Sequence, residues 1–178
     1  MQLSPRLDIQ LVRPSERFRE SFLRALEELR EEGLPWWSGD DLALAERDFS
    51  AFVTKRLAEA SPSGAAPPKT HLWAVAEERF VGRIAIFHEL NDALRTSGGH
   101  IGYDTVPSFR GRGVATGMLR LALPVARDLG LTEVLLTCDD NNAASIRTIE
   151  KCGGALRETR VLDPNRPAKR YYVITLEP

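Results

Sequence analysis

The 178-residue chain predicts a single α/β domain of the α+β kind, in which helices flank a mixed, mostly antiparallel sheet. Three observations carry that expectation. The length suffices for one sizeable core and is short for two. Apolar residues recur with a helical period before Ser61 and with a period of two after Pro68. Beyond Val106 strand-like and helix-like segments alternate, so both kinds of element must share one core.

Asp8 to Val12 alternates like a short strand. Pro14-Ser15 then opens a helix with Phe18, Phe22, Leu26 and Leu29 on one face, and Gly33 ends it. Leu34 to Gly39 reads as a turn whose adjacent Trp36 and Trp37 are expected to cover the core, since tryptophan buries a large area. A second helix is expected over Asp41 to Ala60, with Leu42, Ala45, Phe49, Val53 and Leu57 at helical spacing. Residues 61–70, opening on a Pro, Ser and Ala stretch, read as a flexible loop.

Leu72 to Ala76 and Phe80 to Phe87 predict a hairpin around Glu77-Glu78-Arg79. His100 to Val106 predicts a third strand after the Asn91 to Gly99 connection. A helix from Gly113 to Leu129, a strand from Glu133 to Cys138, a helix from Ala143 to Cys152 and closing strands Ala155 to Val161 and Arg170 to Leu176 complete the pattern. Pro124 falls inside the first of these helices. A lost helical bond costs about 3 kcal/mol, so a kink rather than a break is expected there.

Composition excludes several functions. With 24 Lys and Arg interspersed among 25 Asp and Glu, the formal charge is −1, so no field of one sign argues for nucleic acid, a membrane or a polyanionic substrate. No apolar run approaches the roughly 20 residues of a membrane span, and the first residues do not read as a signal, so a cytoplasmic protein is expected. Cys138 and Cys152 are too few for a disulfide framework and read as reduced core thiols. Three histidines supply no zinc ligand set, and no metal is expected.

The most informative stretch runs from Gly102 to Thr116, where a strand passes through a tight turn into an apolar helix. The first amides of a helix lack helical partners and sit at its positive end, so a pyrophosphate can accept several at once. Gly111 and Gly113 remove the Cβ atoms that would block close approach, Ala115 keeps the next position small, and Arg110 and Arg112 add charge. A Walker loop is excluded by the absence of Gly-Lys-Ser/Thr. A dinucleotide fold is excluded by the absence of Gly-x-Gly-x-x-Gly followed by an acid.

What remains, Arg110-x-x-Gly113-x-Ala115, resembles the coenzyme A pyrophosphate motif of the GCN5-related N-acetyltransferases (GNAT). The segment Leu135 to Gly154 is similar to that family's strand, Asn-x-x-Ser helix start and Glu-Lys-x-Gly helix end, here Asn142, Ser145 and Glu150 to Gly153. Within the family the chain most resembles a group of uncharacterised bacterial acetyltransferases with a strand end like Arg83 to Asn91.

The resemblance implies a GNAT fold and acetyl-CoA as the acyl donor. The strands ending at Val106 and beginning at Glu133 would splay apart, with a bulge near Thr105. The backbone of Asp104, Thr105 and Val106 would pair with the pantetheine arm. Arg110, Gly111, Arg112, Gly113, Val114, Ala115 and Thr116 would hold the pyrophosphate, and Asn142 and Ser145 would line the far side. The acceptor would be a primary amine of a small molecule or peptide, and the protein a monomer or homodimer.

Acyl transfer to an amine needs a neutral nucleophile, a donor to polarise the thioester and a proton for the leaving thiolate. Glu89 is chosen as base because it ends the strand preceding the cofactor strand; His88 is second. The family's usual tyrosine lies seven positions after the motif asparagine, and that position is Ile149. Tyr103, Tyr171, Tyr172 or solvent would have to substitute, and Tyr103 is the catalytic candidate. The alternative is a catalytically silent acyl-CoA sensor.

Overall fold

The computed structural model describes residues 7–33, 40–62, 64 and 66–177. The chain runs β1 (Gln10–Val12), α1 (Arg19–Glu31), α2 (Asp40–Arg47), α3 (Phe49–Ala58), β2 (Lys69–Ala76), β3 (Arg79–Phe87), α4 (Asp92–Ser97) and β4 (Ile101–Thr105). It continues with α5 (Val114–Asp128), β5 (Glu133–Asp139), α6 (Ala143–Lys151), β6 (Ala155–Arg160) and β7 (Lys169–Thr175).

Alternation along β2 divides the core. Leu72, Ala74 and Ala76 join one apolar cluster, and Trp73 and Val75 join the other. The first cluster takes Val114, Met118, Leu119, Ala122 and Ala126 from α5. The second takes the apolar residues of α1, α2 and α3, with the Phe22 ring 4.9 Å from both Trp73 and Phe80. Each fully buried side chain of this size contributes about 1.5–3 kcal/mol, so both faces of the sheet are held.

Strands β1 to β4 form one antiparallel sheet in chain order, and a second sheet has the order β5-β7-β6. Among the described residues β4 and β5 share no ladder. They touch through the isolated bridge Gly99 to Leu136, so the sheets meet at a vertex and part beyond it. The expected splay is present. The expected bulge near Thr105 is not: β4 pairs in register with β3 from Gly82–Thr105 to Ile86–Ile101. An edge strand already leaves alternate residues unpaired, so no extra residue is needed there. Register shifts fall instead at Ala74/Val75 and Leu156/Glu158.

Other differences have local causes. The single helix expected over Asp41 to Ala60 is two, because Asp48 leaves the helical region at φ −147° and its carboxylate accepts the Ala51 N–H at 2.9 Å, capping α3. The Asn91 to Gly99 connection contains α4, capped by Asn91, which accepts the Leu94 N–H at 3.0 Å. β2 starts at Lys69, three residues earlier than the apolar run. Helix α5 continues through Pro124 without a break. Trp36 and Trp37 lie outside the described residues. Both cysteines are free, and among the described residues no helix is long and apolar enough to cross a membrane.

Candidate functional site

The gap between β4 and β5 begins at Gly99 and His100. Gly99 sits at φ +76°, and a Cβ on it would fall 2.3 Å from the Leu135 carbonyl oxygen. The His100 N–H donates to that carbonyl at 2.7 Å, and the Leu135 N–H donates to His100 Nδ1 at 2.9 Å. Beyond this point β4 pairs with β3. The Val106 N–H donates to Val81 O at 3.0 Å, and antiparallel alternation commits the backbone of Asp104 to β3 in the same way. Tyr103 and Thr105 therefore present their backbones to the open edge. Of the three residues assigned to a pantetheine arm, Thr105 alone turns its backbone to the open edge. Its carbonyl accepts Arg110 Nε at 3.3 Å, and its buried Oγ1 has no hydrogen-bond partner among the described residues.

After β4, a 3-10 turn over Pro107–Phe109 leads to Gly111 at φ +73° and Gly113 at φ +82°. Both are in the left-handed region, which costs an L-residue with a side chain about 1–2 kcal/mol. Gly113 is the N-cap of α5 and supplies no side-chain cap; the first helical bond runs from Gly117 N to Gly113 O at 2.9 Å. The amides of Val114, Ala115 and Thr116 thus have no helical acceptor and lie at the positive end of a 15-residue helix. The arginines are engaged elsewhere. Arg110 Nη1 pairs with Glu32 at 2.7 Å, while Glu28 accepts the Ser108 N–H at 2.9 Å and its hydroxyl at 3.1 Å. Arg112 lies 5.7 Å from the Phe109 ring centroid and lines a groove with Asp8, Glu77 and Glu78.

Across the gap, Asn142 caps α6 by accepting the Ser145 N–H at 3.0 Å. The Ser145 hydroxyl lies 2.7 Å from the Tyr103 hydroxyl. Burial pushes the Tyr103 phenol up to about 12, only partly opposed by its bond with Ser145. Ile149 is 1% exposed and belongs to the core, so no phenol comes from that position. Tyr171 donates to Thr96 O, and Tyr172 donates to Glu150 at 3.1 Å. Burial raises the pKa of the Cys138 thiol, which disfavours the thiolate.

His88 and Glu89 follow β3, at the vertex end of β4. His88 Nε2 is 2.8 Å from Thr70 Oγ1, and burial lowers its pKa against the opposing charge of Glu89. Glu89 is exposed and makes no hydrogen bond among the described residues. The five residues of β4 span about 17 Å between these groups and the glycine turn. A ligand with phosphates at the turn reaches Glu89 only through an arm along β4.

Two features escape the local spacing of the sequence. One is the clamp of Glu28 and Glu32 on the glycine turn. The other is a polar pocket on the α1–α3 side, lined by Asp41, Arg56, His71 and Arg83 against Phe22 and Trp73. There Arg83 Nε bonds Asp104 at 2.9 Å, and Arg56 pairs with Asp41 and Glu59. The lining residues come from five elements, and only the order of the elements would have hinted at their meeting.

No curated protein matches the chain. Among solved structures, the microcin C7 self-immunity acetyltransferase MccE, in complex with acetyl-CoA and AMP, is 16% identical with a TM-score of 0.68, over 97% of this chain and 98% of its own. RimJ of Mycobacterium smegmatis, in complex with CoA-disulfide, is 18% identical with a TM-score of 0.68, over 94% of this chain and 81% of its own. A Salmonella typhimurium acetyl transferase that modifies the N-terminal serine of ribosomal protein L7/L12 is 13% identical with a TM-score of 0.65, over 95% of each chain. These likenesses establish the fold. A family model described as an acetyltransferase (GNAT) domain matches residues 11–155, most of the length, and the chain belongs to that family.

Proposed function

We propose that this acetyltransferase moves an acetyl group from acetyl-CoA to a primary amine of a small molecule or peptide by direct transfer. The observation that carries the reading is the uncapped start of α5, where left-handed Gly111 and Gly113 leave three amides without helical acceptors beside the open edge of β4. That arrangement suits the pyrophosphate of coenzyme A, and the Thr105 backbone suits its amide arm. Acetyl-CoA and coenzyme A complexes of proteins with this fold support the same ligand, and an acceptor at a peptide N-terminus has a precedent among them.

In this reading the thioester lies along β4 near Tyr103. The acceptor nitrogen forms the C–N bond as the C–S bond breaks, its surplus proton passing to Glu89 directly or through water. The leaving sulfur takes the Tyr103 proton, and Ser145 is placed to return one to the phenolate. Cys138, buried and poorly ionised, does not carry the acyl group. Asn142 acts through the helix cap that places Ser145.

Calorimetry with acetyl-CoA and release of free thiol against a panel of amines test the proposal. Binding with turnover on at least one amine is expected. Tight binding with no turnover across the panel would favour the acyl-CoA sensor, the reading to which the buried Ile149 lends weight. Absence of binding would overturn both.

A further inference from the structure

The opening between β4 and β5 has no ladder to set its width, so the contacts at its vertex must do so. Residues facing each other in a ladder exchange two main-chain bonds. His100 and Leu135 exchange two bonds as well, but one acceptor is the imidazole Nδ1. The cause is on the other side of the strand: the His100 carbonyl is already used by the Phe87 N–H at 2.8 Å. One carbonyl does not point to both sheets, and the ring supplies the missing acceptor. Gly99 brings the strands so close that a methyl group would overlap the Leu135 carbonyl.

We propose that His100 is a positioning residue whose neutral imidazole joins the two sheets at the vertex and sets the opening that receives the acyl donor. The inference rests on the assignment of that opening to acetyl-CoA. Nδ1 accepts only while it carries no proton; an imidazolium turns N–H toward N–H and the bond is lost. The charged groups acting on the ring are Arg95 of α4 and Glu133 of β5. Burial, then Arg95, lower its pKa, against Glu133, so the vertex stays joined at neutral pH and comes apart in acid.

His100→Asn places an amide oxygen near the position of Nδ1, an acceptor that does not titrate. His100→Phe fills the space without an acceptor. Three measurements apply to each protein between about pH 5 and 8, the range in which histidine titrates: exchange protection of the Leu135 amide, coenzyme A affinity and kcat/KM. The wild type should lose protection and affinity toward the acid end. The asparagine variant should keep both within about threefold and lack that acid limb. The phenylalanine variant should bind about tenfold more weakly at every pH, a change of about 1.4 kcal/mol. An acid limb unchanged in His100→Asn, or wild-type Leu135 protection in His100→Phe, would overturn the proposal. Wild-type protein that fails to bind coenzyme A at pH 8 would overturn the acyl-donor reading, while Leu135 exchange would still decide whether His100 joins the sheets.

Discussion

The hydroxyls of Tyr103 and Ser145 lie 2.7 Å apart, joining the open edge of β4 to the first turn of α6. Both are held from behind: Tyr103 by strand pairing opposite Ile84, and Ser145 by the Asn142 cap. With burial holding its pKa at about 12, the phenol is protonated at neutral pH and has a proton to give. Tyr103→Phe should therefore lower kcat about 10²-fold, at the lower end of general acid effects, and leave coenzyme A affinity nearly unchanged. Ser145→Ala should cost less. Thiol release and calorimetry separate the two quantities, and a wild-type kcat in Tyr103→Phe would transfer the role to solvent.

Gly113→Val is expected to weaken coenzyme A binding at least tenfold. At φ +82° a branched side chain is strained by about 1–2 kcal/mol, and in the proposed site it would enter the space that phosphate oxygens need. Arg110→Ala should act more mildly and more salt-dependently, because a half-exposed charge is screened. Glu32→Gln should act in the opposite direction, releasing Arg110 and tightening binding by about threefold, within the range of an exposed ion pair. Titrations at two salt concentrations check all three.

The glycine turn is legible in the sequence because its cause is local: glycines followed by an apolar helical period dictate positive φ and an uncapped start. The strand faces are legible for the same reason. The break at Asp48 is hidden because Ala45, Phe49 and Val53 keep helical spacing across it, and one residue leaving the helix does not disturb the period. Helix α4 has six residues, too few to show a period at all. The clamp joins positions 78 and 80 residues apart, and the His100 bond depends on which way a carbonyl points. Neither leaves a mark in spacing.

The β2–β3 turn stores strain that can be removed. Glu77 and Glu78 sit at φ 48° and 60°, a pair of left-handed positions that suits Asn-Gly. Replacing the pair by Asn-Gly should stabilise the protein by about 1 kcal/mol net, since the exposed contacts of Glu77 with Arg79 and of Glu78 with Arg17 are worth little. An unchanged or lower thermal midpoint would show that the turn is not strained.

Glu59 ties α3 to β2 by accepting Arg56, Lys69 and His71. Burial pushes its pKa up, but bonds from His71 and Lys69 and the charge on Arg56 outweigh this and bring it down to about 2. A folded pKa below the ordinary 4.5 means the contribution is complete above that pH and is lost as pH falls toward about 2. Glu59→Gln should cost about 2 kcal/mol at pH 7, the scale of a charged hydrogen bond. Denaturant melts at several pH values should show the gap between variant and wild type closing in acid; a constant gap would contradict the pairing.

Glu89 offers the most direct test of the base. Its carboxylate is exposed and unbonded among the described residues, one strand length from the glycine turn, so its loss should leave the fold and the proposed phosphate contacts intact. Glu89→Gln keeps shape and hydrogen-bonding capacity and removes basicity. The expected fall in kcat is about 10²–10⁴-fold at neutral pH, with little change in coenzyme A affinity. The rate should recover as pH rises toward the pKa of the acceptor amine, where free amine becomes abundant and a base is less needed. A structural role would lower the rate equally at all pH values, and a general base would not. Wild-type turnover by the folded variant at neutral pH would remove Glu89 from the mechanism and leave His88, bonded to Thr70 and kept neutral by burial, as the group to test next.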